Sequence, residues 1–311
     1  MKYSIVLLST FLLFDAYGSL QAADSAGTAK LENAGSTLDV VFASGELDLP
    51  HTKVLDWISR SAHAVAGYYG RFPVRSAQIT IIPVAGSGVR SGKSFGYPYV
   101  RVRISIGRSA TKEDLEKDWM LVHELVHLAF PAVNDMHHWI EEGIATYVEP
   151  IARAEAGQLS AEKVWGDLVH GLPQGLPQAG DRGLDYTSTW GRTYWGGALF
   201  CLLADIEIRK RTQNRFGLQD ALRAINAAGG SIEVSWELRR AFKIGDDATG
   251  VPVLTELYER MRAAPVDTEL PALWRSLGVA VEGRSVIFDE QAPLAKERRA
   301  ITARQTTKSE S

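Results

Sequence analysis

The spacing of apolar residues changes character near residue 110. Before that point the clearest patterns are strand-like: residues 77–84 are rich in β-branched side chains, and residues 99–106 alternate apolar positions with arginine or serine. Residues 38–43 and 285–289 are further strand candidates. Beyond residue 110 the apolar residues recur mostly at helical spacing. The pattern predicts an α+β fold, in which a small mixed β-sheet is followed by a mostly helical half.

Helices are predicted in both halves. Residues 49–69 carry Val54, Trp57, Ile58 and Val65 on one face, as expected of a helix that packs on a sheet. The later predicted helices cover residues 111–131, 139–149, 192–211, 216–227, 235–241, 253–263 and 268–277. A stretch at 171–190 with Gly, Pro and Asp throughout is predicted to be an ordered loop.

The two ends of the chain are predicted to lie outside the folded domain. An apolar run at residues 3–14, followed by small residues up to Ala22, is typical of a secretory signal peptide over residues 1–22. The run is short for a membrane-spanning helix, so we expect no stable membrane insertion after cleavage; a retained anchor is the alternative. We expect a flexible leader at residues 23–37, one domain at 38–290 (β-containing part 38–110, helical part 111–290) and a polar tail at 291–311.

Composition limits the classes of function. The 311 residues are 45% hydrophobic and carry a net charge of −3, so the chain lacks the basic excess typical of proteins that bind nucleic acid. Cys201 is the only cysteine, which excludes a disulfide within the chain, and its apolar neighbours predict a buried, inert thiol. A secreted protein without disulfides fits the bacterial periplasm, where we expect this one.

The sequence His-Glu-Leu-Val-His at residues 123–127 is the strongest chemical signal. On a helix, His123 and His127 lie one turn apart on the same face, about 6 Å along the axis, so both imidazoles can reach one metal ion. Glu124 lies beside them and can serve as a base toward water activated by the metal. We therefore expect one zinc ion here. The alternative is a pair of core histidines, each bonded to a carbonyl.

A second helix supplies carboxylates. Residues 139–149 read Trp-Ile-Glu-Glu-Gly-Ile-Ala-Thr-Tyr-Val-Glu, which resembles the W-x-x-E-G-F-A-T/S-Y pattern of the gluzincin (thermolysin-like clan) zinc metallopeptidases, closest to the aminopeptidase N-type and glycyl-aminopeptidase-type families. Ile144 replaces the phenylalanine. The resemblance implies that Glu142 is the third zinc ligand rather than Glu141, which is about 100° away on a helix. Fourteen residues separate His127 from Glu142, fewer than in those families.

A third segment extends the resemblance. Residues 193–199 are similar to the Y-x-x-G segment that begins a helix in those families, with Gly196 where they often have lysine. By this resemblance the hydroxyl of Tyr194 supports the tetrahedral intermediate; a half-buried aromatic at a helix start is the alternative. The likeness covers residues 110–212. It implies a thermolysin-like catalytic domain with the His-Glu-x-x-His helix in the cleft, and a peptide or protein substrate along the edge strand, expected in or near residues 99–106.

Other candidates remain open from the sequence. Residues 87–94 nearly spell a phosphate-binding loop, but a strand rather than a helix is predicted to follow. We interpret residues 85–96 as a mobile hairpin loop over the cleft, in which Arg90 or Lys93 contacts substrate, or as a plain solvated loop. The remaining polar candidates are His137 and His138 as rival ligands, Glu149 and Thr146 as partners of a ligand histidine, and Arg192 as a group for a substrate carboxylate or an ordinary salt bridge.

These patterns favour zinc-dependent peptide-bond hydrolysis. Aminopeptidases of the related families bind the substrate amine through acidic residues upstream of the zinc helix, whereas residues 86–108 of this chain contain no Asp or Glu. Endopeptidase and aminopeptidase action therefore both stay open. The alternative from another class is a non-catalytic metal-binding or scaffolding module with the same fold. The intact Glu124 argues against it, because metal binding alone does not require that carboxylate.

Overall fold

The first half of the chain forms a five-stranded sheet. The computed structural model describes residues 27–283 and 285–304. The strands are β1 (Thr28–Asn33), β2 (Ser36–Phe42), β3 (Ser76–Val84), β4 (Val89–Phe95) and β5 (Arg101–Gly107). They lie in the order β1-β2-β3-β5-β4, and the three inner strands are parallel while each outer strand is antiparallel to its neighbour. The prediction of a mixed sheet is confirmed.

One helix connects the parallel strands β2 and β3 and helps to build the core. This helix, α1 (His51–Tyr69), buries the face predicted from its periodicity, including Trp57 and Ile58. The inward residues of the central strands, such as Ile79, Ile81 and Ile104, are completely buried in the same core. Burial of each such side chain contributes about 1.5–3 kcal/mol.

The second half is helical, as predicted. Its helices are α2 (Lys112–Lys117), α3 (Met120–His127), α4 (His138–Glu155), α5 (Ala161–Gly171), α6 (Gly197–Thr212), α7 (Leu218–Ala227), α8 (Leu238–Thr249), α9 (Val253–Met261), α10 (Leu270–Leu277) and α11 (Ala295–Ile301). A two-stranded hairpin, β6 (Val279–Glu282) and β7 (Ser285–Phe288), lies between the last two helices. None of the helices among the described residues is both long and apolar enough to cross a membrane.

The helix predicted over residues 111–131 is broken in two. The backbone of Asp118 is extended (ψ 136°), which ends α2. Its carboxylate then accepts hydrogen bonds from the N–H groups of Met120 (3.1 Å) and Leu121 (3.0 Å), two of the groups left unpaired at the start of α3. The break leaves α3 as a short helix that carries the His-Glu-x-x-His sequence.

Two segments predicted to be loose are ordered. Residues 28–37, in the predicted leader, form β1 and the start of β2, and Leu31 is buried. Within the predicted tail, α11 buries Arg298, which donates to the carbonyls of Leu277 and Gly278 at 2.9 Å. The leader and tail predictions are wrong for these residues. A few apolar contacts keep residues 28–37 in the sheet, and the buried Arg298 anchors α11. The predicted signal peptide at residues 1–22 lies outside the described residues.

The edge of the sheet also differs from the prediction. Residues 99–106 belong mostly to β5, which lies between β3 and β4, so they are not the edge. The stretch interpreted as a hairpin loop contains β4, and β4 is the edge. No helix follows Ser94, because the chain turns directly into β5; the phosphate-loop interpretation therefore lacks its helix N-terminus.

Candidate active site

Helix α3 lies between the edge of the sheet and the helical half. It packs against β4 on one side and against α1 and α4 on the other. His123 and Glu124 are buried on it, with 5% and 8% of their surface exposed. The rings of His123 and His127 lie 4.9 Å apart, edge to face, on one side of the helix. Two imidazoles are thus held together by the one-turn spacing that the sequence predicted.

Glu142, on α4, completes a group of three. Its Oε2 atom lies 3.1 Å from Nε2 of His123 and 3.5 Å from Nε2 of His127, and the three ligand atoms lie within 4.8 Å of one another. Zinc binds nitrogen and oxygen ligands at about 2.0–2.1 Å, so neighbouring ligands in a tetrahedral site are about 3.3 Å apart. The donor set and its spacing fit a zinc ion. Glu141 does not join this group among the described residues.

The carboxylate of Glu142 and the two imidazoles shift one another's pKa values. Burial lowers the pKa of His123, despite its bond to Glu142. Burial also opposes the charge on His127, but the hydrogen bond and charge of Glu142 outweigh it and raise the pKa of His127. Burial disfavours the charged Glu142, yet the two histidines hold the pKa of this carboxyl well below its usual range. The cluster therefore presents a carboxylate at any pH near neutrality.

A contact between two glycines brings the helices of the site together. Gly143 follows the third ligand on α4, and Gly197 is the first residue of α6. A Cβ atom on Gly197 would lie 2.7 Å from the Cα of Gly143, and a Cβ on Gly143 would collide with the Gly197 backbone. The two helices therefore touch backbone to backbone. This close contact explains why both the Glu-Gly and the Tyr-x-x-Gly pattern need glycine at this position.

Tyr194 lies in a π-helical turn, Arg192–Gly196, immediately before α6. Its ring stacks near that of His123, with centroids 6.2 Å apart. Partial burial, with the nearby charges of Glu142 and Glu124, raises the pKa of Tyr194 to about 12. The phenol therefore keeps its proton at neutral pH and can donate a hydrogen bond into the space beside the cluster.

The edge strand β4 supports Glu124, which the sequence did not indicate. Ser94 Oγ lies 2.7 Å from Oε2 of Glu124. Gly92, on the same face of the strand, lies so close that a Cβ there would be 2.6 Å from Glu124 Cγ. The alternation of the strand turns Lys93 to the other face, where its Nζ lies 5.5 Å from the Phe95 ring. Lys93 nevertheless borders the same cavity as the three ligand residues.

His138 lies next to the metal-binding group, although it is not one of its three ligands. Its Nδ1 lies 3.1 Å from Oε2 of Glu141, and its Nε2 lies 3.3 Å from Oε1 of Glu142. The Glu141 carboxylate also accepts a hydrogen bond from the N–H of Val133 at 3.3 Å. A chain of bonds thus holds the free oxygen of Glu142 and leaves its other oxygen for the metal, as outer partners of metal ligands commonly do.

Two other candidates have structural partners instead. His137 Nδ1 lies 2.9 Å from Asp185. Arg192 is buried and paired with Asp181 at 2.8 Å, which confirms the salt-bridge alternative.

The predicted partners of a ligand histidine are not found in that role. Glu149 pairs with Arg153 at 2.8 Å, and the Nδ1 atom of His123 is buried without a hydrogen-bond partner among the described residues. The prediction that Glu149 and Thr146 are partners of a ligand histidine therefore finds no hydrogen bond at His123 among the described residues. The two side chains follow Glu142 on α4 and line a cavity that His123 also borders.

The three ligand residues, Glu124 and Tyr194 line one cavity of about 390 Å³, the metal cavity. Gly92 and Ser94 of β4 form another part of its wall. An extended chain lying along β4 would therefore pass between the edge strand and the metal-binding group. A candidate metal, base and hydrogen-bond donor meet in one solvent-accessible space.

Solved structures share this fold. An aminopeptidase N family protein from Idiomarina loihiensis superposes with a TM-score of 0.63 over 82% of this chain and 49% of that chain, at 14% sequence identity. The fold is that of the M1 zinc metallopeptidases. The M1 zinc metallopeptidase from Deinococcus radiodurans gives a TM-score of 0.51 over 78% of this chain and 52% of that chain, at 15% identity. A mutant of it bound to a Tyr-Ser-Ala substrate gives 0.52 over 78% and 53%, at 13% identity.

The similarity to M1 zinc metallopeptidases is structural. No protein-family model matches the sequence, and no curated protein matches it. The chain spans about half the length of these M1 structures. It therefore has an M1 metallopeptidase fold with a candidate His-His-Glu metal site, as the sequence motifs indicated.

Proposed function

We propose that this chain is a zinc-dependent peptidase. The observation that carries the proposal is the convergence of His123, His127 and Glu142 to ligand distance, with Glu124 beside them in one open cavity. Zinc sites that keep an open position for water are typical of hydrolases. The signal-peptide pattern at residues 1–22 supports a location in the periplasm or outside the cell.

Each residue has a role that follows from its position. When bound, zinc supplies a Lewis acid that polarises a carbonyl and makes water more acidic. Glu124, held by Ser94, takes the proton of the attacking water and delivers it to the leaving amine. Tyr194, protonated at neutral pH, donates a hydrogen bond to the oxyanion that develops on the substrate carbonyl.

The charge distribution supports cleavage away from a free amino terminus. The carboxylates that line the metal cavity are Glu124, Glu141 and Glu142, and each is engaged with another group of the site. Residues 86–108 add no Asp or Glu. We therefore favour an endopeptidase or a processing peptidase over an aminopeptidase.

A metal analysis and a cleavage assay test the proposal. Purified protein is expected to contain one zinc per chain and to cleave a mixed peptide library, with activity lost to a chelator and restored by zinc. Mass spectrometry of the products locates the cleaved bonds relative to the peptide ends.

A substitution tests the role of the base. Glu124→Gln is expected to keep zinc and lose nearly all turnover, whereas Glu46→Gln, at an exposed position, serves as the control. Full activity of Glu124→Gln would refute the base assignment, and a zinc-loaded protein that cleaves nothing in the library would refute the proposed function.

A further inference from the structure

A second, larger cavity adjoins the metal cavity. It has a volume of about 680 Å³ and lies between the α2–α3 break, α4, α5 and the π-helical turn. His123 and Tyr194 line both cavities, so they form the wall between them. Any group that enters this second cavity from a bound substrate is therefore close to the reacting bond.

Aromatic side chains surround the entrance. Trp190 stacks on Tyr194 with ring centroids 5.6 Å apart, and Trp119 meets His123 edge to face at 5.4 Å. Trp119 and Trp190 are 50% and 61% exposed, and Trp195 lies deeper in the lining. When an apolar group covers exposed indole surface beside a candidate active site, binding is stabilised by about 25 cal/mol per Å² of surface removed from water. We name this space the aromatic cavity.

The remaining wall is partly apolar, and its charged residues are either paired or, as at Glu113, Glu116 and Lys117, exposed to solvent. Leu159, Leu168 and Pro150 contribute apolar surface. The charged residues include two ion pairs, Glu149–Arg153 at 2.8 Å and Lys163–Asp167 at 2.6 Å. A charged substrate group that reached the buried part of this wall would have to break the Glu149–Arg153 pair or lose its own water without a partner, which costs free energy. The cavity therefore suits an uncharged occupant.

We propose that the aromatic cavity binds a large apolar or aromatic side chain of the substrate, on a residue next to the cleaved bond, with Trp119 and Trp190 setting this preference. The inference rests on the proposed peptidase function and names its substrate class. The volume of the aromatic cavity falls within the range of about 300–1,000 Å³ common for ligand sites. This space is enough for the largest side chain.

Binding without metal tests the cavity separately from catalysis. Blocked amino-acid amides, N-acetylated at one end, are titrated into metal-free protein by calorimetry. The phenylalanine and leucine derivatives are expected to bind at least tenfold more tightly than the aspartate and lysine derivatives. Trp190→Ala is expected to remove most of that difference, and Tyr186→Ala, an exposed aromatic outside both cavities, to keep it.

Cleavage by the zinc-loaded protein gives the second readout. Bonds flanked by phenylalanine or leucine are expected to dominate. In Trp190→Ala, kcat/KM for such a substrate should fall at least tenfold, mainly through KM, and that for an alanine analogue less than threefold. Thr146→Phe, which narrows the cavity, should shift the substrate preference toward smaller side chains. This variant tests the same cavity if Trp190→Ala fails to fold.

The outcomes separate the two proposals. Selective binding of apolar derivatives by a protein that cleaves no peptide would overturn the peptidase function and support the cavity assignment. Cleavage with a charged preference, or an apolar preference unchanged in both variants, would overturn the cavity assignment alone.

Discussion

Gly92→Ala is expected to impair catalysis without removing the metal. The added Cβ would lie 2.6 Å from Cγ and 2.9 Å from Oε1 of Glu124, whereas carbon atoms in contact prefer about 3.5–4.0 Å. Glu124 or the edge strand must therefore move by about 1 Å, and a displacement of that size at a reacting group costs about 10²-fold in rate. The three atoms nearest to this methyl group belong to Glu124 and Met120 and not to a metal ligand.

The assay for this variant is kcat on a peptide cleaved by the wild type, with zinc content and thermal unfolding measured on the same preparation. We expect kcat to fall by about two orders of magnitude, with one zinc retained and only modest loss of stability. Ser91→Ala, at an exposed neighbouring position of β4, is the matched control. A zinc-loaded Gly92→Ala protein within threefold of wild-type kcat would refute the role given to β4.

Two further predictions concern the metal and the response to pH. His138→Ala should weaken zinc binding about 10–100-fold in competition with a chelator, because Glu142 loses the group at its free oxygen; exposed His63→Ala is the control, and equal affinities would contradict the support role. Burial, opposed by Arg153, raises the pKa of Glu149 to about 7, above about 4.3 in the unfolded chain. The folded protein thus keeps a proton that the unfolded chain releases, and stability should fall as pH rises between these values. The free energy of unfolding in urea, measured from pH 5 to pH 8, should depend less on pH for Glu149→Gln than for the wild type. Parallel pH profiles of the two proteins would contradict the raised pKa of Glu149.

The metal-binding group was predictable because its information is local. The one-turn spacing of the histidines fixes their shared face, and the resemblance of residues 139–147 to the gluzincin pattern implies Glu142 rather than Glu141 as the third ligand. The helical half followed from periodicity for the same reason. The break at Asp118 was missed because a single residue turns the chain there, and its carboxylate caps the next helix.

The supporting parts of the site depend on contacts between distant segments. Strand β4 is rich in glycine and serine, and its pairing with β5 rather than its own propensity makes it a strand. Its contact with Glu124 could have been suspected only from the alternation of Gly92 and Ser94 beside a strand-forming run. The contact of His138 with Glu142 is local by contrast, because the two residues lie four apart on α4; it was missed because the helix was predicted to begin at residue 139.

The backbone contact between Gly143 and Gly197 joins the ligand helix and the tyrosine helix into one mechanical unit. A methyl group at either position would force the helices apart and separate Glu142 from Tyr194 at the same time. A displacement of one motif therefore also displaces the other. A homologue that carried a larger residue at one of these glycines would have to rebuild both the metal-binding corner and the oxyanion donor.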